Sequence, residues 1–368
     1  MKFSVSRENL LKQLQLVVGV VERRQTLPIL SNVLIQLEGK RLAITGTDLE
    51  VEIISHSDLD VGESHDAGEV TAPARKLLDI CRSLPEQATV NVSSEGNRMV
   101  ITSGRSKFAL STLPANEFPG VEQGPGALVF NCPAQELKRL IDSTAFAMAH
   151  QDVRYYLNGM LWEATEGQLR AVATDGHRLA MTTLSLPLNS GEKVQSILPR
   201  KGVVELSRLL AEEGDIQVAI GDNQVRVKGH DFHFTSKLVD GAYPDYDRVL
   251  PKGGTRIVTG DRDALRQAFN RTAILSNEKY RGVRLGLSEN QLKMLANNPE
   301  QEEAEEEIEV SYTGDELEIG FNVNYIQDVL NTLKGDKVSF TLSDANSSAL
   351  LGDATDKDSV YVIMPMRL

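Results

Sequence analysis

The chain repeats itself about every 125 residues, three times over. No other feature narrows the folds open to it so far. Each copy opens alike: Phe3 stands seven positions before Leu10, Phe130 before Leu137, and Val258 before Leu265. Apolar residues then follow at steps of four: Leu14 and Val18, Ile141 and Ala145, Phe269 and Ala273. Steps of four lie on one face of a helix, so the spacing predicts a strand and then an amphipathic helix in every copy. A hairpin comes next. Its second strand is Leu42 to Asp48, Leu169 to Asp175 and Leu292 to Asn298, entered through turns at Gly39, Gly167 and Glu289. A second helix recurs at Leu77–Ile80, Val203–Leu206 and Ile326–Val329, with Arg82 and Arg208 in equivalent places. The first two copies close on Phe118-Pro119 and Tyr243-Pro244.

A period of this size matches a typical domain able to bury its own core. It is too long for a solenoid unit. The chain of 368 residues is therefore expected to hold three globular domains, at 1–125, 126–253 and 254–368. Between the helices, runs such as 33–37, 88–92, 160–162, 215–219 and 337–341 read as strands, several of them alternating and rich in β-branched residues. Two helices per copy are too few for alternating βαβ units, so each domain is expected to be α+β, with helices on one side of antiparallel sheet. Similar domains meeting head to tail close a ring if each turns by a constant angle. Phe108 and Leu110, on a strand of the first copy, and Ile274 and Leu275, ending a helix of the third, are either such contacts or ordinary core pairs.

Composition excludes several classes. The two cysteines, Cys81 and Cys132, fall at non-equivalent places and lack metal-ligand neighbours, which suits a reduced cytoplasmic protein without structural disulfides. The opening residues lack the apolar run of a signal peptide. No apolar stretch is long enough to span a membrane. Net charge is -13, which taken alone argues against nucleic acid. Its distribution is uneven: acid concentrates at Glu300–Glu307, while Lys12, Arg23, Arg24, Arg75, Lys76, Arg82, Lys138, Arg139, Arg200, Lys201 and Arg208 lie on or near the recurring helices. That pattern fits either one basic surface on an acidic body or ordinary solvated helix faces.

Catalytic motifs fail on inspection. Thr174-Asp175-Gly176-His177-Arg178 looks reactive, but Asp175 matches Asp48 in the repeat, and both follow a strand end where Asp-Gly marks a turn. His230-Asp231-Phe232-His233 lacks a third metal ligand nearby. Ser190-Gly191-Glu192-Lys193 lacks the companion elements of an acylase, and neither a phosphate loop nor a nucleophile elbow is present. The acidic run lacks the alternation of a calcium loop. The chain reads as a binding protein without catalytic residues, metal or cofactor. Its apolar end, Tyr361 to Leu368, suits either an adaptable partner surface rich in methionine or a plain edge strand.

Longer phrases carry a resemblance. LAITGTDLE (42–50), LSTLPANEFP (110–119), QDVRYYLNGM (151–160), ATDGHRL (173–179), AILSNEKY (273–280), NNPEQEEAEE (297–306) and the terminal MPMRL are similar to the bacterial DNA polymerase III beta subunit family of sliding clamps, over essentially the whole chain. The resemblance implies three tandem clamp domains and a head-to-tail homodimer, a ring with the recurring helices lining its hole and duplex DNA threaded through it without sequence preference. It implies DNA-facing roles for Arg24, Arg75, Lys76, Arg82, His150, Gln151, Tyr155, Tyr156 and Lys201. One of the paired tyrosines can instead be core.

The same resemblance implies a peptide groove for partners. Its residues are Arg154, Leu157, Thr174, His177, Arg178, Leu179, Pro244, Val249, Asn322, Tyr325, Ser348, Val362, Met364, Pro365, Met366 and Arg367. Phe108 and Leu110 against Ile274 and Leu275 would centre the dimer contact, with Lys107 near the acidic run. Implied partners are the replicative polymerase catalytic subunit, the clamp loader, and repair and translesion polymerases, on DNA in the cytoplasm and not at a membrane. Asn346 stands where the family carries an aliphatic residue, and Glu22-Arg23 precedes Arg24, so peptide preference and the local charge are expected to differ. Two other readings compete: a nuclease or hydrolase using Asp175 and His177, and a repeat scaffold that never touches DNA.

Overall fold

The computed structural model describes residues 1–22, 27–59, 66–121, 124 and 128–367. The first repeat starts β1 (Lys2–Ser6), α1 (Arg7–Val17), β2 (Asn32–Glu38), β3 (Arg41–Thr47), β4 (Val51–Asp58) and β5 (Gly68–Pro73). It continues with α2 (Ala74–Ser83), β6 (Thr89–Glu95), β7 (Arg98–Ser103) and β8 (Ser106–Ser111). The second repeat follows the same order: β9 (Leu128–Pro133), α3 (Ala134–Asp142), β10 (Gly159–Thr165), β11 (Gln168–Thr174), β12 (Arg178–Ser185) and β13 (Val194–Pro199). Then come α4 (Arg200–Leu209), β14 (Asp215–Ile220), β15 (Gln224–Lys228) and β16 (Phe232–Lys237). The third has β17 (Arg256–Asp261), α5 (Arg262–Ala273), β18 (Gly282–Ser288), β19 (Gln291–Asn297), β20 (Glu303–Glu309) and β21 (Leu317–Asn322). It closes with α6 (Val323–Thr332), β22 (Lys337–Leu342), β23 (Ala349–Asp353) and β24 (Ser359–Ile363).

Local chemistry sets the helix starts. The Ser6 hydroxyl accepts from the Asn9 amide, and the Asp261 carboxylate accepts from the Ala264 amide, each satisfying a donor in the first helical turn. Leu10, Leu14 and Val17 bury one face of α1; Leu265, Ala268, Phe269 and Ala273 do the same for α5. The helix of the second copy stops sooner than the steps of four predict. It ends at Asp142, and Ala145 begins a separate 3-10 turn. Thr144 turns its hydroxyl back onto the Leu140 carbonyl, a local bond that competes with helix continuation.

The chain divides into two compact units that do not follow the repeats. Unit 1 is Met1–Leu137 with Lys201–Leu238; unit 2 is Lys138–Arg200 with Val239–Leu368. The second repeat is shared between them. Each unit holds one eight-stranded and one four-stranded sheet. In unit 1 the large sheet runs β5-β2-β3-β4-β16-β15-β14-β9, and in unit 2 β13-β10-β11-β12-β24-β23-β22-β17. Each large sheet has a seam where strands of different repeats pair antiparallel: β4 with β16, setting Ile53 opposite Phe234, and β12 with β24, setting Ala180 opposite Tyr361. The small sheets are β1-β6-β7-β8 and β20-β19-β18-β21. No helix among the described residues is long and apolar enough to cross a membrane.

Candidate partner groove and nucleic-acid interface

In unit 2 the β12–β24 seam builds the floor of the candidate groove. Leu179 faces Val362 in register, and both lie in one buried cluster with Leu161, Val172, Ile197 and Tyr246. Tyr156, Met181, Val239, Tyr243, Leu250 and Leu350 pack around it. Alternation explains the arrangement, since residues two apart on a strand share a face. Leu157, Leu179 and Val362 are buried and form support; His177, Pro244, Val249, Met364 and Arg367 are exposed above or beside it. Val249 and Met364 are 43% and 44% exposed, large apolar side chains left to water.

Two backbone bonds tie the terminal segment down. Met364 donates to the His177 carbonyl at 2.9 Å, and Met366 donates to the Gly320 carbonyl at 2.7 Å. They hold Met364, Pro365 and Met366 near Asn322, whose side chain accepts from the Asn324 amide to cap α6, and Tyr325 stands one turn on. Met366 and Arg367 also line a cavity of about 710 Å³ with Tyr280, Arg284, Leu295 and Glu305. Ser348 is half-buried, and Asn346 is exposed in a turn closed by its amide on Asp344 Oδ1.

Polar side chains brace the floor. Tyr246 donates to Glu163 Oε1 at 2.7 Å and accepts from Arg170 at 3.0 Å. Burial, helped by Glu163, pushes its phenol up to about 12. Tyr243 accepts the Thr174 amide at 3.1 Å, and burial raises its phenol too. Sequence reasoning missed both tyrosines as groove supports. The one signal was Tyr243-Pro244, read only as a closing segment of the repeat.

Arg178 is held on every side. Its Nε meets Asp175 Oδ2 at 3.1 Å, Nη1 pairs closely with Asp328, and Nη2 donates to the Phe146 carbonyl at 2.8 Å. The Tyr325 ring lies 4.5 Å beneath the guanidinium. Asp175 Oδ1 accepts the His177 and Arg178 amides at 2.9 and 3.0 Å. Both of its oxygens are thus committed to local structure, as at Asp48, whose Oδ1 accepts the Glu50 and Val51 amides.

The residues expected at DNA fall in both units. In unit 1, Arg75, Lys76 and Arg82 are exposed on α2, and Arg75 also donates to the Val21 carbonyl at 3.1 Å. Lys201 is different: its ammonium meets Asp48 at 2.5 Å, Glu22 at 2.7 Å and the Val20 carbonyl at 2.9 Å. These carboxylates outweigh the cost of burial and raise its pKa. Arg23 and Arg24 lie outside the described residues. In unit 2, His150 and Gln151 are exposed, and Gln151 takes a φ of 51°, a left-handed turn uncommon for a side-chain-bearing residue. Asp152 grips Arg154 through Nε at 2.9 Å and Nη2 at 2.8 Å, and these bonds hold its carboxyl down at about 2. Tyr155 and Tyr156 meet edge to face at 5.7 Å. Tyr155 is 57% exposed while Tyr156 packs on the groove cluster, so one of the pair is in part core.

At the remaining positions, Phe108 is half-buried and Leu110 buried on β8, while Ile274 is 74% exposed just past α5 and Leu275 is half-buried. Lys107 is exposed and Lys293 already pairs with Glu305 at 2.7 Å. His233 turns toward His56, with ring centroids 5.0 Å apart. No group of three or more metal-ligating side chains occurs among the described residues.

Family models match along the chain: the DNA polymerase III beta subunit N-terminal domain at residues 1–122, its central domain at 131–245 and its C-terminal domain at 247–367. The chain is 58% identical to the beta sliding clamp of Pseudomonas aeruginosa and 54% identical to that of Escherichia coli K12, with all of each chain covered. Among solved structures, the DNA polymerase III subunit beta of Pseudomonas aeruginosa matches with a TM-score of 0.96 at 58% identity over the full length of both. A griselimycin-bound clamp from the same organism matches with a TM-score of 0.97.

Proposed function

This chain belongs to the DNA polymerase III beta subunit family and is a sliding clamp, and from that premise we propose its working form. Two copies close head to tail into a ring around duplex DNA. Repeats at 1–125, 126–253 and 254–368 appear twice in it. The ring carries out no reaction of its own. It tethers the replicative polymerase catalytic subunit, the clamp loader, and repair and translesion polymerases through peptides laid in the groove, on DNA in the cytoplasm.

The observation that carries this reading is the half-built sheet. Within each unit, two repeats complete an eight-stranded sheet by pairing the fourth strand of one repeat with the last strand of the next, β4 with β16 and β12 with β24. The first repeat's β8 and the third repeat's β20 are the strands left over, each at the edge of a four-stranded sheet. Unpaired edges invite pairing with another chain. Matching β8 to β16 and β24, and β20 to β4 and β12, gives the expected register: Ala304 of one copy opposite Phe108 of the other, and Glu305 opposite Lys107. Ile274, exposed beside β20's repeat, gains cover in that contact.

Arg75, Lys76, Arg24, His150, Gln151 and Tyr155 would meet phosphates and sugars, contacts that hold without reading sequence. Lys201 contributes less, because three acceptors already surround it. For partners, Leu157, Thr174, Leu179, Pro244, Val249 and Val362 form one end of the groove. Asn322, Tyr325, Ser348, Met364, Pro365, Met366 and Arg367 form the other, with His177 and Arg154 alongside. Arg178 shapes the wall between them, its donors being engaged within the chain.

The test is retention on DNA after loading by the cognate loader and ATP. Retention on nicked circles with loss after a single linearising cut is expected of a ring that slides. Equal retention on both would mean ordinary surface binding and would sink the reading. Removal of residues 364–368 should abolish partner-peptide binding while leaving circle retention intact.

A further inference from the structure

The seam between the first and second repeats contains an arginine acting as a helix cap. Arg208, in the last turn of α4, sends Nη1 to the Gln15 carbonyl and Nη2 to the Leu16 carbonyl, each at 2.6 Å. Glu205, three residues earlier, holds the same guanidinium through Nε at 3.1 Å and Nη2 at 2.6 Å. The two carbonyls belong to the last turns of α1, where backbone acceptors lack helical partners and the helix dipole favours a cation.

Arg82 is the matching residue of the first repeat. Helices α2 and α4 align through Leu77 and Val203, which places Arg82 on Arg208 and Asp79 on Glu205. Arg82 is exposed. Its carbonyl is engaged by Arg7, but its guanidinium meets no acceptor among the described residues. The helix equivalent to α1 in the third repeat is α5, aligned through Leu10 and Leu265, so Gln15 and Leu16 correspond to Asn270 and Arg271. The Arg271 side chain is turned onto Glu306 at 2.5 and 2.9 Å and does not fill the capping place itself. The seam between the second and third repeats works differently. Asn331 stands where Arg208 would, and Asp328, matching Glu205, is taken by Arg178.

We propose that Arg82 of one copy caps helix α5 of the other, reaching the Asn270 carbonyl and the second lone pair of the Arg271 carbonyl, which also accepts the Ile274 amide at 3.2 Å, with Asp79 steadying its guanidinium. This rests on the ring reading. It assigns to the joint between copies a residue that family resemblance alone gives to DNA. A planar fork with paired donors suits adjacent carbonyls; an ammonium does not.

The experiment is sedimentation equilibrium of the full chain, with retention on nicked circles measured in parallel. Arg82→Ala should raise the dimer dissociation constant about tenfold or more, the loss expected from charge-assisted hydrogen bonds. Arg82→Lys should recover little of it, and Asp79→Asn should shift it in the same direction by less. A dimer constant unchanged in Arg82→Ala, with shortened retention on circles, would make Arg82 a DNA contact only and overturn the cap. A wild-type chain that stays monomeric at every concentration would instead overturn the ring beneath it, and the two failures differ because Arg82 is intact in the second.

Discussion

Arg178 shows how a residue can line a candidate groove and still belong to the scaffold. Besides Asp175, its partners are 32 residues away at Phe146 and 150 residues away at Asp328, so no spacing in the sequence announces these two. Replacing it with alanine takes from Asp328 its paired cation and leaves Asp175 with the flanking Arg154, whose Nη2 donates to the Asp175 carbonyl at 3.3 Å. Arg178→Ala should therefore lower unfolding free energy by about 3 kcal/mol, read from urea denaturation. His177 offers the contrast, being exposed. His177→Ala should hold stability to within about 0.5 kcal/mol and weaken partner peptides, measured by titration calorimetry. A large stability loss in the second variant with peptide affinity intact would reverse the two assignments. The chemistry of Asp175 was legible, because its match to Asp48 marked it as a turn residue before any geometry was known, and both carboxylates do serve neighbouring amides. Tyr246 was not legible, since its value lies in reaching Glu163 across the sheet.

Helices and strands were easier to read than their partnerships. The recurring apolar steps located α1, α3 and α5, and the alternating runs located β2, β6, β14 and β22. What periodicity could not supply was that β4 pairs with β16 and β12 with β24, since pairing across repeats is non-local and leaves no mark on either strand alone. The β4–β16 seam carries a titratable pair, His56 and His233, with ring nitrogens His56 Nδ1 and His233 Nε2 buried without partners. Burial first, then the charge of Arg41, holds His56 below the ordinary imidazole value; burial, then His56, Lys228 and Arg41, does so for His233. Asp231 and a backbone bond at His230 act on His56 in the opposite direction without reversing it. The unfolded chain thus takes up protons before the folded one does. The stability these rings confer is complete above the unfolded value of 6.5 and is lost as pH falls through the lower folded values. Thermal melts should show a wild-type midpoint that declines below pH 6.5 more steeply than that of a His56→Phe, His233→Phe double variant. Parallel curves would show that the pair carries no linkage.

At the scale of the whole molecule, the exposed Ile274 and the open edges of β8 and β20 argue for one joint between copies. Ile274→Ala with Leu275→Ala should weaken the dimer by about 2 kcal/mol or more at each joint, and sedimentation should show mass shifting toward monomer. An unchanged mass would remove the apolar contact from the account. Lys107→Glu should add to the weakening, because the expected register sets it against Glu305. Three repeats make three kinds of seam, and the chain connects two of them covalently. Those two behave as if their halves faced each other at a fixed effective concentration, on the order of millimolar or above for short tethers, and dilution does not touch them. In the proposed ring the β8–β20 seam alone would obey mass action. Protein abundance in the cell would then act on this one joint and spare the others, and any factor that opens the ring need weaken only that place.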